Sequence, residues 1–387
     1  MGGTEPPDNL SSLDNATSIR YDYGMKLIAQ VKLQPTEEQA QALKETLEAA
    51  NAACNWLSDR AWESRVFGQW SLHKAFYPEI RSRFGLSAQV TVRVIAKVAD
   101  AYKLDKRTKR TFRPHGSIAY DDRILSWWTK ASRVSVMTLY GREMIPFVCG
   151  DRQRRLLDSR QGETDLVYRE GEWYLLAVCN VVEPDPQDVD DVLGVDLGIK
   201  NLAVDSDGNV HSGAVVNALR HRHRRLRRRL QKKQTASARR LLRHRRRKER
   251  RFAADVNHCI VKRIVTLCEG TKRAMALEDL TGIRDRTTVR HTQRASHSSW
   301  SFGQLRAFVV YKAALAGVPV AAVDPRHTSQ RCSSCGHTER TNRRSQSEFE
   351  CVRCGFSAHA DHNAAVNIRV LGRAAVNLPN ATDSLAA

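Results

Sequence analysis

Four cysteines constrain this chain more tightly than any other feature. Cys332-Ser333-Ser334-Cys335 and Cys351-Val352-Arg353-Cys354 repeat a C-x2-C unit across fifteen intervening residues, 336–350. Two thiolates from one turn can grip a metal at about 2.3 Å only if the turn bends back on itself. Gly336 and Gly355, directly after each pair, supply that freedom. Two such turns form a closed tetrahedral four-thiolate site, the zinc-ribbon pattern; the competing readings are disulfides or a chance spacing. Four thiolates leave no open coordination position, so one Zn2+ on Cys332, Cys335, Cys351 and Cys354 would be structural and not the catalyst. The arm between the pairs carries Arg340, Arg343 and Arg344, which suit either a nucleic acid or a solvated loop. The other cysteines (Cys54, Cys149, Cys179, Cys259, Cys268) stand singly in apolar surroundings and read as buried small hydrophobes.

Charge decides the class of partner. The 387 residues carry 63 Lys and Arg against 42 Asp and Glu, a formal net charge of +21. With 41% hydrophobic residues the chain can bury real cores, and its length suits two or three domains. Collagen and a disulfide-rich miniprotein are excluded. The longest apolar stretch, 307–323, is interrupted by Lys312 and Pro319, which argues against a membrane span. Residues 1–24 are polar and acidic with no apolar centre, which predicts a disordered leader and no secretory signal. The expectation is a cytoplasmic, non-secreted protein whose partners are nucleic acids, with no membrane and no small-molecule substrate.

Periodicity organises the rest of the chain. Met25 to Leu33 alternates as a strand before Pro35. Thr36 and Gln39 form a capping-box pattern ahead of a long helix, in which Leu43, Leu47, Ala50, Cys54, Leu57 and Ala61 recur at helical steps. A second helix is expected over Ser87–Tyr102, although Val90, Val92, Val94 and Ile95 individually favour strand. From Phe112 to Val182, short runs of β-formers between turn signals read as an antiparallel sheet or small barrel. The Pro- and Asp-rich stretch 183–191 predicts a domain boundary. Beyond it come a strand carrying Asp196, a turn at Ser206-Asp207-Gly208-Asn209 and a short strand. An arginine-rich segment 220–251 follows, then an apolar helix Ala253–Cys268, a strand Arg273–Glu278 and a polar loop 281–299. A helix from Phe302 and a strand Val318–Val323 complete this half, and residues 372–387 read as a frayed tail.

Three carboxylates in this half invite chemistry. Asp196 follows an apolar run, where an unpaired carboxylate costs several kcal/mol unless it is hydrogen-bonded or binds a cation. Glu278 ends the strand Ala274-Met275-Ala276-Leu277 and shares a face with Ala276, while Asp279 points away. Asp361 opens a helix, where an acid also serves as a plain cap. Taken singly, each has a structural explanation: a local hydrogen bond, a solvated strand end, an N-cap. Taken together, a strand Asp, a distant strand Glu and a helix-start Asp can converge on two divalent cations, and hard cations such as Mg2+ demand oxygen ligands. On a strongly basic chain this pattern suggests a metal-dependent nuclease.

The motifs Gly194-x-Asp196-x-Gly198-x-Lys200-x-Leu202-Ala203, Leu277-Glu278-Asp279-Leu280 and Thr328-Ser329-Gln330-Arg331-Cys332-Ser333-x-Cys335-Gly336 occur in that order. They are closed by Cys351-x-x-Cys354-Gly355 and Asp361-x-Asn363-Ala364-Ala365-x-Asn367-Ile368. This series resembles the TnpB family, transposon-encoded RNA-guided DNA endonucleases related to the type V CRISPR effectors. The resemblance is dense over 192–370 and sparse before it. It implies a multidomain α/β and β fold: an RNase H-like (RuvC) nuclease domain, 192–330 and 356–371, with an inserted four-Cys zinc ribbon, 331–355. It further implies a β-barrel wedge domain, 25–35 and 106–184, into which a helical recognition domain, 36–105, is inserted. Carried over, Asp196, Glu278 and Asp361 are the catalytic acids and hold two Mg2+. The partners implied are a guide RNA and target double-stranded DNA, cut beside a short flanking motif.

In residues 220–251, eighteen of thirty-two positions are Lys or Arg, against the single acid Glu249. A solvated, disordered charge run is the plain reading of such a stretch. Leu226, Leu230, Leu241 and Leu242 instead favour one or two basic helices lying on nucleic acid, with Arg224, Arg225, Arg227, Arg228 and Arg229 on phosphates. Two other classes stand beside the endonuclease: a guide-directed DNA-binding regulator without cleavage, and a transposition accessory or strand-transfer protein. Loss of an acid would favour the regulator, and all three acids are present.

Overall fold

A computed structural model describes residues 25–280 and 302–376. The leader, the expected polar loop 281–299 and the tail beyond 376 lie outside the described residues. Two compact units divide the chain at 182/183.

The first unit contains β1 (Met25–Leu33), α1 (Glu37–Ser64), α2 (Gln69–Phe84), α3 (Ala88–Leu104), β2 (Ile118–Tyr120), β3 (Leu125–Trp128), β4 (Arg133–Thr138), β5 (Gly141–Val148), α4 (Asp151–Leu157), β6 (Arg160–Arg169) and β7 (Glu172–Val181). The capping box forms as the sequence predicts. Thr36 Oγ1 accepts from the Gln39 amide at 3.3 Å, and Gln39 Oε1 accepts from the Thr36 amide at 3.2 Å. The apolar stripe of α1, from Leu43 to Ala61, is fully buried. In α3, Val90, Val94, Ile95, Val98 and Tyr102 are buried at helical spacing, so packing overrides their strand preference. Helix α2 has no counterpart in the sequence reading. Pro78 inside it speaks against a helix, and it buries only Leu72 and Ile80, too thin a stripe to read.

The seven strands form one antiparallel sheet in the order β2-β6-β7-β1-β5-β4-β3. The sheet is nearly closed, because the Tyr120 hydroxyl on β2 donates to the Met137 carbonyl on β4 at 3.1 Å. A single core joins Leu43, Leu57 and Val94 of the helices to Val134, Ile145 and Leu175 of the sheet.

The second unit contains β8 (Asp191–Asp196), β9 (Asn201–Asp205), β10 (Val210–Ser212), α5 (Ala214–Lys233), α6 (Ala236–Gly270), β11 (Arg273–Glu278), α7 (Phe302–Leu315), β12 (Val320–Val323), β13 (Glu348–Glu350), β14 (Ser357–His359) and α8 (Ala360–Ala375). Its main sheet runs β10-β9-β8-β11-β12, antiparallel through β10, β9 and β8 and parallel through β8, β11 and β12. The arginine-rich segment and the apolar helix, expected as separate elements, form α5 and a continuous α6 of 35 residues. Helix α8 continues through Ala375, past Leu371 where the tail was expected to begin. Cys54, Cys179 and Cys268 are buried as expected, but Cys149 is half-buried and Cys259 is exposed. Cys259 lies off the α6 face that buries Asn257, Ile260, Val261 and Ile264, so its apolar neighbours in sequence are not its neighbours in space. Among the described residues no helix is long and apolar enough to cross a membrane.

Strand alternation sets what each sheet face carries. Leu193, Val195, Met275 and Leu277 pack with Ile260, Ile264 and Val309 of α6 and α7. Val192, Ala274 and Ala276 pack with Ile368 of α8. Continuing the period of two, Asp196 and Glu278 belong to the α8 face. Helix α8 lies antiparallel to β8. Arg369 and Arg373 pair with Asp191 at the strand's start, and the Ala365 carbonyl sits over Gly194. A Cβ on Gly194 would lie 2.1 Å from that oxygen and 2.4 Å from the Arg369 amide nitrogen. Gly194→Ala should therefore destabilise the unit by about 3 kcal/mol, seen as a lower denaturant midpoint, because backbone and not a pliable side chain occupies the space. An unchanged midpoint would mean that α8 does not press on β8 at this point.

Candidate active site

The antiparallel course of α8 carries its N-terminus to the carboxyl ends of β8 and β11, where the three acids meet. The parallel register pairs Leu277 with Val195, which places Glu278 beside Asp196. Asp361 is buried near the start of α8. It is not the cap that the sequence allowed: the cap is His359, whose ring nitrogen accepts from the Asp361 amide at 3.3 Å. The Asp361 carboxylate is instead spanned by two partners, Asn201 Nδ2 at 2.9 Å on one oxygen and Arg343 Nη2 at 3.4 Å on the other. The Thr328 hydroxyl donates to Glu278 Oε1. Asp279 points the other way and pairs with Arg306.

Electrostatics ties the three acids into one site. Burial pushes the Asp196 carboxyl up to about 8, and the negative charges of Glu278 and Asp361 push in the same direction. Arg343 and the Leu197 amide oppose the shift. Burial likewise raises Glu278, against the hydroxyl of Thr328 and the charge of Arg343. A buried carboxyl destabilised in its charged form is a group that a cation would relieve. All the ligands offered here are oxygens, which suits a hard divalent ion. The acids stand further apart than a single ion's shell. Among the described residues, only the four cysteines form a group of three or more candidate metal-binding side chains with all ligand atoms within 4.8 Å of one another.

In that group Cys332 Sγ lies 3.8 Å from Cys354 Sγ, and Cys335 Sγ lies 3.6 Å from Cys351 Sγ. The two turns are built alike. The Gly336 amide donates to the Cys332 carbonyl and the Gly355 amide to the Cys351 carbonyl, each at 2.9 Å, and both glycines have φ +73°. Backbone amides of Ser334 and Cys335 point at the Cys332 sulfur, and those of Arg353 and Cys354 at the Cys351 sulfur. These donors and the tetrahedral spacing fit zinc.

Side-chain amides tie the ribbon to the acids. Asn363 Nδ2 donates to the Arg331 carbonyl at 2.8 Å, while its Oδ1 accepts from the Ser333 amide at 3.0 Å. Asn367 Nδ2 reaches the carbonyls of Thr328 at 2.9 Å and Arg331 at 2.7 Å. The two asparagines thus hold the segment from Thr328 to Cys332 against α8. Sequence reasoning assigned no role to Asn201, Thr328, Asn363 or Asn367, and left Arg343 to a nucleic acid or to solvent. The one available signal for Thr328, Asn363 and Asn367 was their presence in the motif strings.

The arginines expected on phosphates lie on α5. Arg225, Arg227, Arg228 and Arg229 are exposed and Arg224 is half-buried. Arg227 is partly committed elsewhere, since its Nη2 donates to Glu249 on α6 at 3.1 Å, and His223 Nδ1 lies 3.1 Å from the same oxygen. The lone acid of the basic segment therefore pins α5 to α6.

Residues 176–281 match the family model described as probable transposase (OrfB_IS605), and residues 302–368 match that of the Cas12f1-like TNB domain. Over 121 residues the chain is 40% identical to the CRISPR-associated endodeoxyribonuclease Cas12f1 of Sulfoacidibacillus thermotolerans, covering 31% of this chain and 27% of that protein. Over 232 residues it is 30% identical to the putative RNA-guided DNA endonuclease InsQ of Escherichia coli (strain K12), covering 53% of this chain and 55% of that one. The chain thus spans about a quarter to a half of the length of these curated relatives. The solved mini-RNA-guided endonuclease CRISPR-Cas_phi3 shares its fold, with a TM-score of 0.54 and 12% identity over 92% of this chain and 93% of that one. The matched stretches 176–281 and 302–368 contain Asp196, Glu278, the four cysteines and Asp361, and over them the chain is similar to the probable-transposase (OrfB_IS605) and Cas12f1-like families.

Proposed function

We propose that this protein is an RNA-guided, divalent-metal-dependent DNA endonuclease of the RNase H-like (RuvC) type, acting in the cytoplasm on DNA beside a short flanking motif. The observation that carries the reading is the convergence of Asp196, Glu278 and Asp361 at the carboxyl ends of β8 and β11, on a chain of net charge +21. In this reading residues 192–330 and 356–371 form the nuclease domain and 331–355 the zinc ribbon. Residues 25–35 and 106–184 form the wedge, with 36–105 as the recognition domain. Asp196, Glu278 and Asp361 would hold two Mg2+, and Cys332, Cys335, Cys351 and Cys354 one Zn2+. When bound, the paired ions supply an activated water and charge stabilisation for phosphodiester hydrolysis. The chain's own contribution is orientation: Asn201 and Arg343 fix both oxygens of Asp361, and Thr328 fixes Glu278.

Guide pairing would supply sequence specificity, with the protein reading backbone shape and the flanking motif. The test is to sequence the RNA that copurifies with the protein, then offer matched and mismatched duplex DNA with and without Mg2+. Cleavage confined to matched DNA in Mg2+ is expected. Binding of the matched duplex without cleavage would favour the regulator instead.

The basic hairpin makes a separable prediction. Replacing Arg225, Arg228 and Arg229 by Gln should weaken guide binding. It should also flatten the slope of log affinity against log salt by about 0.7–0.9 for each phosphate no longer neutralised. The weakening should be nearly the same for two unrelated guides on one scaffold, because backbone contacts position without specifying. Filter binding at several salt concentrations decides it, and an unchanged slope would make the segment a merely solvated surface.

A further inference from the structure

Between α5 and α6 a cavity of about 540 Å3 opens to solvent. Its apolar floor is made by Val215, Ala218, Leu219 and Phe252, its rim carries Arg222, Arg245, Lys248 and Arg251, and His223 lines it as well. The helical period produces this division. Val215, Ala218, Leu219 and Arg222 follow one face of α5 at steps of three and four, and Arg245, Lys248 and Phe252 do the same on α6. Val215 is 68% exposed there, a large aliphatic side chain with little packing of its own. Glu249 is held by His223 and Arg227 and does not line the cavity. Among the described residues, no carboxylate pairs with any of the four rim cations.

A cavity with an apolar floor and a ring of unneutralised cations suits a ligand that joins a flat apolar group to anions within a few ångströms. We infer that it receives one unstacked nucleotide of a single-stranded nucleic acid, the base on Phe252 and Leu219 and the flanking phosphates on Arg222, Arg245, Lys248 and Arg251. The volume lies within the range of small-ligand pockets. Stacking a base on an aromatic ring adds binding regardless of sequence, since every base has a π-face. The lining holds no carboxylate or amide, His223 is engaged at Nδ1 by Glu249, and the four cations are assigned to phosphates, so the site has little left with which to read a base edge or a 2′-hydroxyl. It should therefore accept RNA and DNA alike. The inference rests on the basic hairpin being a nucleic-acid surface, and adds to it a fixed station at which a strand is held by one extruded nucleotide.

The test compares octamers of uridine, of thymidine and of abasic deoxyribose, at equal charge and salt, on the full-length protein freed of bound nucleic acid. Both base-bearing octamers should bind at least about fivefold more tightly than the abasic one. In Val215→Glu and Ala218→Leu, both at exposed positions where folding is safe, that ratio should fall to near one. Abasic binding to Ala218→Leu should not change, because its phosphate contacts remain. A ratio that persists in both variants would overturn the pocket while leaving the hairpin a phosphate-binding surface. Failure of all three octamers to bind would overturn the pocket and the nucleic-acid reading of the hairpin together.

Discussion

Asp196→Ala should lower DNA cleavage by about a thousandfold or more while leaving guide and target binding within a few-fold. In the proposed role the carboxylate would act only where charge develops in the transition state, and binding of the duplex would rest on phosphate contacts made by other residues. Glu278→Ala and Asp361→Ala should behave alike, and pairs of these changes should lose little more than one alone, since the three acids act as a unit. Wild-type cleavage by Asp196→Ala in Mg2+ would sink the assignment. The same residue makes an opposite prediction for stability. Its carboxyl is raised from 3.8 to about 8 by burial and by Glu278 and Asp361. The folded state therefore binds a proton more tightly than the unfolded chain. Without divalent ions, stability should fall as pH rises through that window. Asp196→Asn removes the buried charge and should stabilise the Mg2+-free fold by about 1–3 kcal/mol at pH 8, with the gain shrinking towards pH 4. Thermal unfolding in Mg2+-free, zinc-replete buffer at both pH values measures this directly.

That conflict between stability and chemistry explains why the acids were legible in the sequence. An Asp closing the apolar run Val192–Val195 and a Glu closing Ala274–Leu277 contradict the surrounding pattern, and a carboxylate in such a place needs a reason. The strands themselves were legible as short continuous apolar runs, the pattern of strands buried on both faces, and β11 falls on the expected residues 273–278. Residues that break no pattern were not legible. Asn201 sits at a strand start and Thr328 in a turn, both ordinary surroundings for those side chains. Their value comes from Asp361 and Glu278, which lie 160 and 50 residues away in the chain. The cap at α8 shows the limit of a local rule. Asp361 satisfies the composition of a helix start, yet His359 caps the helix, and Asp361 is drawn to Asn201 and Arg343. In α6 the opposite error occurs. The change from arginine-rich to apolar sequence at residues 251–253 looks like an end, but nothing there breaks a helix, and one element runs from basic surface into core.

Removing the ribbon's metal should disable cleavage without touching any of the three acids. Cys332→Ser or Cys354→Ser should lose bound zinc and unfold the local segment. Structural zinc contributes about 10–16 kcal/mol of apparent binding energy at neutral pH, and that energy is folding energy. The short β13–β14 pair and its small cluster of Phe349 and Phe356 cannot replace it. The damage would spread along the connections already described. Thr328, which holds Glu278, lies four residues before Cys332, and Arg343, which holds Asp361, lies on the arm between the two cysteine pairs. Asn363 and Asn367 would grip a chain with no fixed path. Cleavage should therefore fall by about a hundredfold or more, with guide binding by the α5–α6 hairpin largely kept. Arg343→Gln separates the two causes, since it loosens Asp361 while the four thiolates remain. It should retain full zinc and lose part of the cleavage rate. Zinc content by atomic absorption, measured beside single-turnover cleavage, makes the comparison. Normal cleavage at zero zinc would show that the acids are held without the ribbon.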